Sequence, residues 1–158
     1  MNEIVLYSIA EKNVELFNIL VDRFESIKYK IFNCRTKSGK TSLHYACSNG
    51  SIDIAIKLIE LGADINSEDN DKETPLHFAC IRGHFDIAGK LIEFGADIHC
   101  KTNCGKTPLL YACIYDKFDI VDKLIELGAD IHCKNNDEET PLHYACFNGN
   151  FDIVSKLI

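Results

Sequence analysis

Eight cysteines and six histidines are the side chains of this sequence with the widest chemical reach. Thiolate and imidazole ligate zinc, and a thiol beside a base can attack carbon. The best metal candidates are His99, Cys100 and Cys104 with His132 and Cys133. Their spacing argues against one ion, because no Cys-x-x-Cys pair occurs. His132-Cys133 is His99-Cys100 repeated one structural period later, so the two pairs point alike from separate units. A cysteine hydrolase needs an activating base and an orienting third group, and the neighbours of Cys104 supply neither. A Gly-rich phosphate loop, a paired-carboxylate motif and a dinucleotide fingerprint are missing as well. The sequence therefore predicts no catalytic residue, no metal and no cofactor. Cys104 alone looks exposed, and its air oxidation to an intermolecular disulfide is the expected handling artefact.

What positions these cysteines is more informative than their reactivity. The interval from Cys47 to Cys80 recurs to Cys113 and again to Cys146, and Cys34, Cys100 and Cys133 share a second register. A cysteine recurring once per unit occupies equivalent places on neighbouring units, as a small buried hydrophobe in a reducing compartment would. The expected location is the cytoplasm, with the nucleus as the alternative. Asn49-Gly50-Ser51 fits the glycosylation pattern, but such triplets arise often by chance.

Composition sets outer limits on function. At 158 residues, with 46% hydrophobic and 26% charged residues, the chain reads as one soluble domain. A net charge of -7 argues against nucleic acid, whose binders rely on lysine and arginine to displace counterions, and against an anionic membrane surface. Met1 to Asn13 lacks a basic n-region and is not read as a secretory signal. No stretch approaches the roughly 18 to 20 apolar residues that span a bilayer, so no membrane insertion is expected.

The period extends to whole motifs. Thr41-Ser42-Leu43-His44, Thr74-Pro75-Leu76-His77, Thr107-Pro108-Leu109-Leu110 and Thr140-Pro141-Leu142-His143 follow one another at the same constant interval as the first cysteine register. Gly50, Gly83 and Gly149 follow, then Asp53, Asp86, Asp119 and Asp152, each before isoleucine, then Lys-Leu-Ile in all four units. Leu43, Ala46 and Cys47 stand at i, i+3 and i+4, while Ile54, Leu58 and Ile59 stand at i, i+4 and i+5, so each unit holds two short amphipathic helices. Thr74 is placed as an N-cap with Pro75 in the first turn, and Gly83 and Gly95 are placed to end the two helices. The recurrent aspartates sit near the positive end of the second helix dipole. Neither helix can bury its face alone, so the core lies between units and the fold is an all-α solenoid.

These motifs resemble the ankyrin repeat, whose period and Thr-Pro-Leu-His-x-Ala signature they match across residues 36–158. The units fall at 36–68, 69–101, 102–134 and a truncated 135–158, all in one domain spanning 1–158. Residues 1–35 read as a divergent N-terminal cap repeat, with Leu6, Ile9, Ala10, Leu16, Phe17, Leu20 and Val21 on a helix pair, about one residue missing at Asn13 and about five inserted before Phe32. The resemblance implies that the polar segments Ser67 to Glu73, Cys100 to Lys106 and Cys133 to Glu139 form β-hairpin fingers; the residues themselves show only loops. It also implies a protein-interaction module without catalysis, binding a protein or peptide on its concave face.

Departures from the repeat are the informative places. Leu110 replaces the histidine and Asp116 the glycine, so the 102–134 unit should be locally weaker, and Gly89 inside a helix carries its own penalty. His44, His77 and His143 are expected to orient the turn through backbone hydrogen bonds. The resemblance implies partner-binding positions that, mapped by register, are Asp71, Glu73, Asn103, Lys106, Asp137 and Glu139 on the fingers, with Asn49, Ile81, Arg82, Ile114, Tyr115, Phe147 and Asn148 at the ends of the first helices. Ile81, Ile114, Tyr115 and Phe147 predict one apolar strip, with inter-repeat packing as the competing explanation. Lys40, Glu73, Lys106 and Glu139 alternate in sign at one register, which predicts a ladder of ion pairs between fingers more than a recognition code. Ile153, Val154, Leu157 and Ile158 are expected to stand without a following repeat or a polar cap, which makes self-association through the last repeat, or service as the targeting segment of a larger protein, the alternative roles.

Overall fold

A computed structural model describes residues 2–23 and 33–158. Among them run ten helices: α1 (Asn2–Ala10), α2 (Val14–Arg23), α3 (Ser42–Asn49), α4 (Ile52–Glu60), α5 (Pro75–Arg82), α6 (Phe85–Glu93), α7 (Pro108–Ile114), α8 (Phe118–Glu126), α9 (Pro141–Asn148) and α10 (Phe151–Leu157). The odd-numbered helices pack side by side as one layer and the even-numbered helices as a second, each helix touching its counterpart in the next pair. This is the all-α solenoid that the period predicts.

The core is the seam between the layers. Leu43, Leu76 and Leu109 with Ala46, Ala79, Ala112 and Ala145 fill it from the first layer, and Ile54, Leu58, Ile87, Leu91, Ile120, Leu124 and Ile153 from the second. Each buried leucine or isoleucine contributes about 1.5 to 3 kcal/mol relative to exposure, which helices of seven to ten residues could not recover in isolation. Cys47, Cys80 and Cys113 lie fully inside, as their register predicts, whereas Cys146 at the same register is exposed. The difference is one of cover, since the three buried thiols have a following helix pair against them.

The starts of the odd helices show how the histidines work. Thr41, Thr74 and Thr140 hold extended backbone angles before α3, α5 and α9. Each donates its N–H to Nδ1 of the histidine three residues on, at 3.0, 3.0 and 3.1 Å. In the two inner cases Nε2 then reaches a carbonyl of the next unit, His44 to Glu73 at 3.0 Å and His77 to Lys106 at 3.2 Å. Since Nδ1 accepts, Nε2 carries the proton, and one neutral ring staples its own cap to the following finger. Where Leu110 stands instead, the Thr107 hydroxyl accepts the Leu110 N–H at 3.2 Å, so the cap survives and the staple is lost.

Gly50, Gly83 and Gly149 end α3, α5 and α9 at φ of 76°, 76° and 70°. Asp116 takes the same left-handed conformation at φ 58°, and α7 stops at Ile114, a residue earlier in register than its counterparts. Asn150 offsets part of the strain by donating to the Asp116 carboxylate at 2.6 Å. Asp53, Asp86, Asp119 and Asp152 lie in the first turns of α4, α6, α8 and α10, as expected. Inside α6, a methyl built on Gly89 would meet nothing within 4 Å. Gly89→Ala should therefore raise stability by about 1 kcal/mol, read as a higher urea midpoint. An unchanged or lower midpoint would mean that this helix draws nothing from local propensity.

At the N-terminal end, α1 and α2 bury Ile9, Phe17 and Val21 and half-bury Leu6, Leu16 and Leu20, while Ala10 is exposed. Asn13 caps α2 by accepting the Leu16 N–H at 2.8 Å. The insertion expected before Phe32 lies outside the described residues. At the other end Ile153 and Leu157 are buried because α10 packs on α8, and Val154 is half-covered. Of the four, only Ile158 is exposed, and the uncovered aromatic residues there are Phe147 and Phe151.

The fingers are tight turns, and no strand occurs among the described residues, so the hairpins implied by the resemblance are not formed as such. One closing bond defines each: Thr36 N–H to Lys40 O, Asp69 to Glu73, Thr102 to Lys106 and Asn135 to Glu139. Successive fingers are laced at their tips. The side-chain amides of Asn70, Asn103 and Asn136 donate to the carbonyls of Lys37, Asn70 and Asn103 at 3.0, 3.0 and 2.9 Å.

Candidate functional site

The fingers and the odd helices share one face, and it carries aromatic residues at every unit. Tyr45, Phe78, Tyr111 and Tyr144 follow the histidine register by one residue. His44 meets Phe78 edge-on at 5.7 Å and His77 meets Tyr111 at 5.6 Å, so each staple also braces the next ring. Tyr115 extends the row by stacking on Tyr111 at 6.3 Å. Sequence reasoning passed over this register, although its signal was present as an aromatic at the variable position of all four Thr-x-Leu-x-x-Ala motifs.

The alternating charges do not pair with one another. No ion pair joins Lys40, Glu73, Lys106 and Glu139 among the described residues, which corrects the expected ladder. They turn instead toward the aromatic row. Lys40 lies over the Phe78 ring at 4.4 Å and Lys106 over Tyr111 at 5.7 Å. The Tyr111 hydroxyl donates to Glu73 Oε1 at 2.7 Å, and the Tyr144 hydroxyl donates to Glu139 Oε2. Burial and the hydrogen bond to Glu73 push the Tyr111 phenol up, and burial with the bond to Glu139 pushes Tyr144 up to about 12, so both stay donors at neutral pH. Lys40 also reaches the buried Asp69 carboxylate of the next finger at 4.0 Å, so its cation is shared between ring and carboxylate, whereas Lys106 meets only its ring.

A groove of about 450 Å³ opens on this face, lined by Ile114, Glu139, His143, Tyr144, Phe147 and Asn148. Of the residues expected to bind a partner, Ile114, Phe147, Asn148 and Glu139 come together there. Phe147 is 88% exposed, and Tyr115, at 46%, stands on the neighbouring helix end. Asn148 also serves the fold, since its amide donates to the carbonyls of Cys113 and Ile114 at 3.0 and 3.1 Å. Glu73 and Lys106 flank Tyr111. Ile81 is half-buried and Arg82 exposed at the end of α5, Asn49 is half-buried at the end of α3, and none of the three lines the groove. Asp71 and Asp137 are exposed fingertips, and Asn103 is tied into the amide lacing.

The candidates for chemistry behave otherwise. Among the described residues no three His, Cys, Asp or Glu side chains converge as a metal set would. His99, Cys133 and Asp130 do share the wall of a cavity of about 120 Å³. Burial pushes the Cys133 thiol up, the opposite of what a nucleophile requires, and likewise pushes Cys100 up to about 11. Cys104 is exposed, as expected. No helix among the described residues is long and apolar enough to cross a membrane.

No curated protein matches the chain. A family model described as ankyrin repeats, in three copies, matches residues 2–69, 55–135 and 90–158. That match runs the length of the helix pairs, and the same caps, left-handed turns and fingers recur within it at one constant interval; the chain belongs to the ankyrin-repeat family.

Proposed function

We propose that this chain binds a partner protein or peptide on its concave face, with Tyr115 and Phe147 as anchors, and performs no chemistry itself. Ankyrin repeats are in general protein-protein interaction modules, and that general role is the starting point. The observation that carries the specific reading is Phe147, a large aromatic 88% exposed beside a groove whose other walls are Ile114 and Tyr144. Interfaces draw most of their energy from a few such aromatic anchors, often about 2 kcal/mol or more each. At the same register Ile81 and Ile114, each with a following helix pair, are half-buried, whereas Phe147 is exposed in this structure. The full burial of the Cys47, Cys80 and Cys113 side chains as small core hydrophobes supports a reducing compartment such as the cytoplasm.

The test is a double substitution. Tyr115→Ala with Phe147→Ala should abolish capture of partners from cell extract while leaving the melting temperature within a few degrees. Retained capture would end this assignment, and a collapse in melting would return both residues to the core. A second reading, association of copies through the outer face of α9 and α10, is supported by Phe151 and Ile158, 82% and 89% exposed. Mass measured by light scattering over a hundredfold concentration range decides it, and a constant monomer mass rejects it.

A further inference from the structure

We propose that the groove on α9 selects a peptide segment in which an arginine or lysine neighbours an apolar side chain. This rests on the concave-face reading above and names the chemistry of its partner. The groove has an apolar wall of Ile114, Tyr144 and Phe147 and, apart from His143, a single ionisable group in its lining at neutral pH, the carboxylate of Glu139. No lysine or arginine lines it. Lys106, the cation of the adjacent finger, is occupied over the ring of Tyr111.

Glu139 is held where it is. Its Oε2 accepts from the Tyr144 hydroxyl and from the Asn135 amide at 2.9 Å, and Asn135 Oδ1 accepts the Glu139 N–H at 2.9 Å. Two donors on one oxygen favour the ionised form, and the hydrogen bond from Tyr144 is the larger cause of its lowered pKa. Among the described residues Oε1 has no hydrogen-bond or ion-pair partner; His143 and Lys106 act on the carboxylate only through space, as smaller causes than its two hydrogen bonds, so it presents one fixed oxygen beside the apolar wall.

Three kinds of incoming side chain meet that arrangement differently. An acidic residue faces like charge at close range. A purely apolar residue strips water from Glu139 and returns nothing, which is costly for an ion. A basic residue lays its methylene stem along Phe147 and Tyr144 and sets its head on Oε1, satisfying both surfaces at once. Fingertip carboxylates at Asp137 and Glu138, and the chain's net charge of -7, bias the approach toward the same sign of partner, although Lys134 pairs with Glu138 at 2.7 Å.

Selection of random peptides displayed on phage against the full chain tests this. Peptides retained by the wild type and lost with the Tyr115/Phe147 double substitution should carry arginine or lysine within two positions of an apolar residue. Glu139→Gln keeps acceptors for Tyr144 and Asn135 and removes the charge. A synthetic selected peptide should bind it about threefold to tenfold more weakly, with a flatter salt dependence. If the selected peptides depend on Tyr115 and Phe147 but are acidic or neutral, or bind Glu139→Gln equally, the charge assignment is overturned and the concave reading stands. If no selected peptide depends on those two aromatics, both are overturned. A wild-type mass that rises with concentration and reverts to monomer with the double substitution makes a second copy the occupant and overturns the peptide assignment.

Discussion

Acidification from pH 7 to 4 is expected to cost this chain about 3 kcal/mol of stability through His77 alone. Burial dominates the shift and lowers the His77 pKa to about 4, against an ordinary value of 6.5; the Lys106 carbonyl and the carboxylates of Asp69 and Asp97 pull upward and are outweighed. Between those two values the unfolded chain binds a proton at this histidine and the folded chain does not. Stability from His77 is therefore fully present above about pH 6.5 and drains away as pH falls toward 4, at about 1.4 kcal/mol per pH unit. Protonating Nδ1 would besides turn the acceptor of the Thr74 N–H into a donor facing a donor. His44 is lowered by the same burial and adds to the loss in the same direction. Lowered carboxylates such as Glu138 titrate below their usual range, so their loss begins where that of His77 is ending. Urea midpoints at pH 7, 5.5 and 4 should fall stepwise. His77→Leu, which copies the residue at position 110, should flatten the fall; an identical slope in that variant would remove His77 as its source.

The histidine case shows what was legible in the sequence and what was not. Thr74, Pro75 and Gly83 announce a capped helix through local chemistry, and their recurrence announces stacking, so the architecture follows from a single line of residues. That His77 would orient its own turn was also readable. Its second bond, to the carbonyl of Lys106, depends on how far one unit is displaced from the next, and no spacing within the sequence encodes that distance. The same gap explains the charge ladder. Lys40, Glu73, Lys106 and Glu139 look like partners on paper because they share a register, but Lys40 sits over Phe78 and beside Asp69, Lys106 over Tyr111, and Glu73 and Glu139 accept from the Tyr111 and Tyr144 hydroxyls. Ile114, Phe147, Asn148 and Glu139, positions that the resemblance implied, meet in one groove because the repeat fixes the ends of helices and fingers. His143 and Tyr144 were missed as groove residues because their register reads as structural wherever another unit covers it, as it does for His77.

Substituting Gly50 with alanine should cost about 2 to 3 kcal/mol, and the matching change at Gly149 only about 1 kcal/mol. Both glycines close an odd helix in the left-handed region, at φ 76° and 70°, so both variants bear the same backbone penalty. Asp116 bounds that penalty, since it occupies the equivalent conformation with a side chain. What differs is the neighbour. A methyl on Gly50 would come within 2.7 Å of the His84 ring, whereas one on Gly149 meets nothing within 4 Å. His84 cannot yield freely, because Nε2 lies 3.3 Å from the Ser48 carbonyl at the end of α3, and moving the ring forfeits that contact. The extra cost is thus one of overpacking and a lost tie between consecutive helix pairs, worth about 1 to 2 kcal/mol. Gly50→Ala with His84→Ala separates the two contributions: its ring is gone, so the alanine at position 50 should then cost no more than the alanine at position 149. Equal urea midpoints for the two single variants would show that His84 gives way without resistance and that the left-handed turn alone explains why glycine stands there.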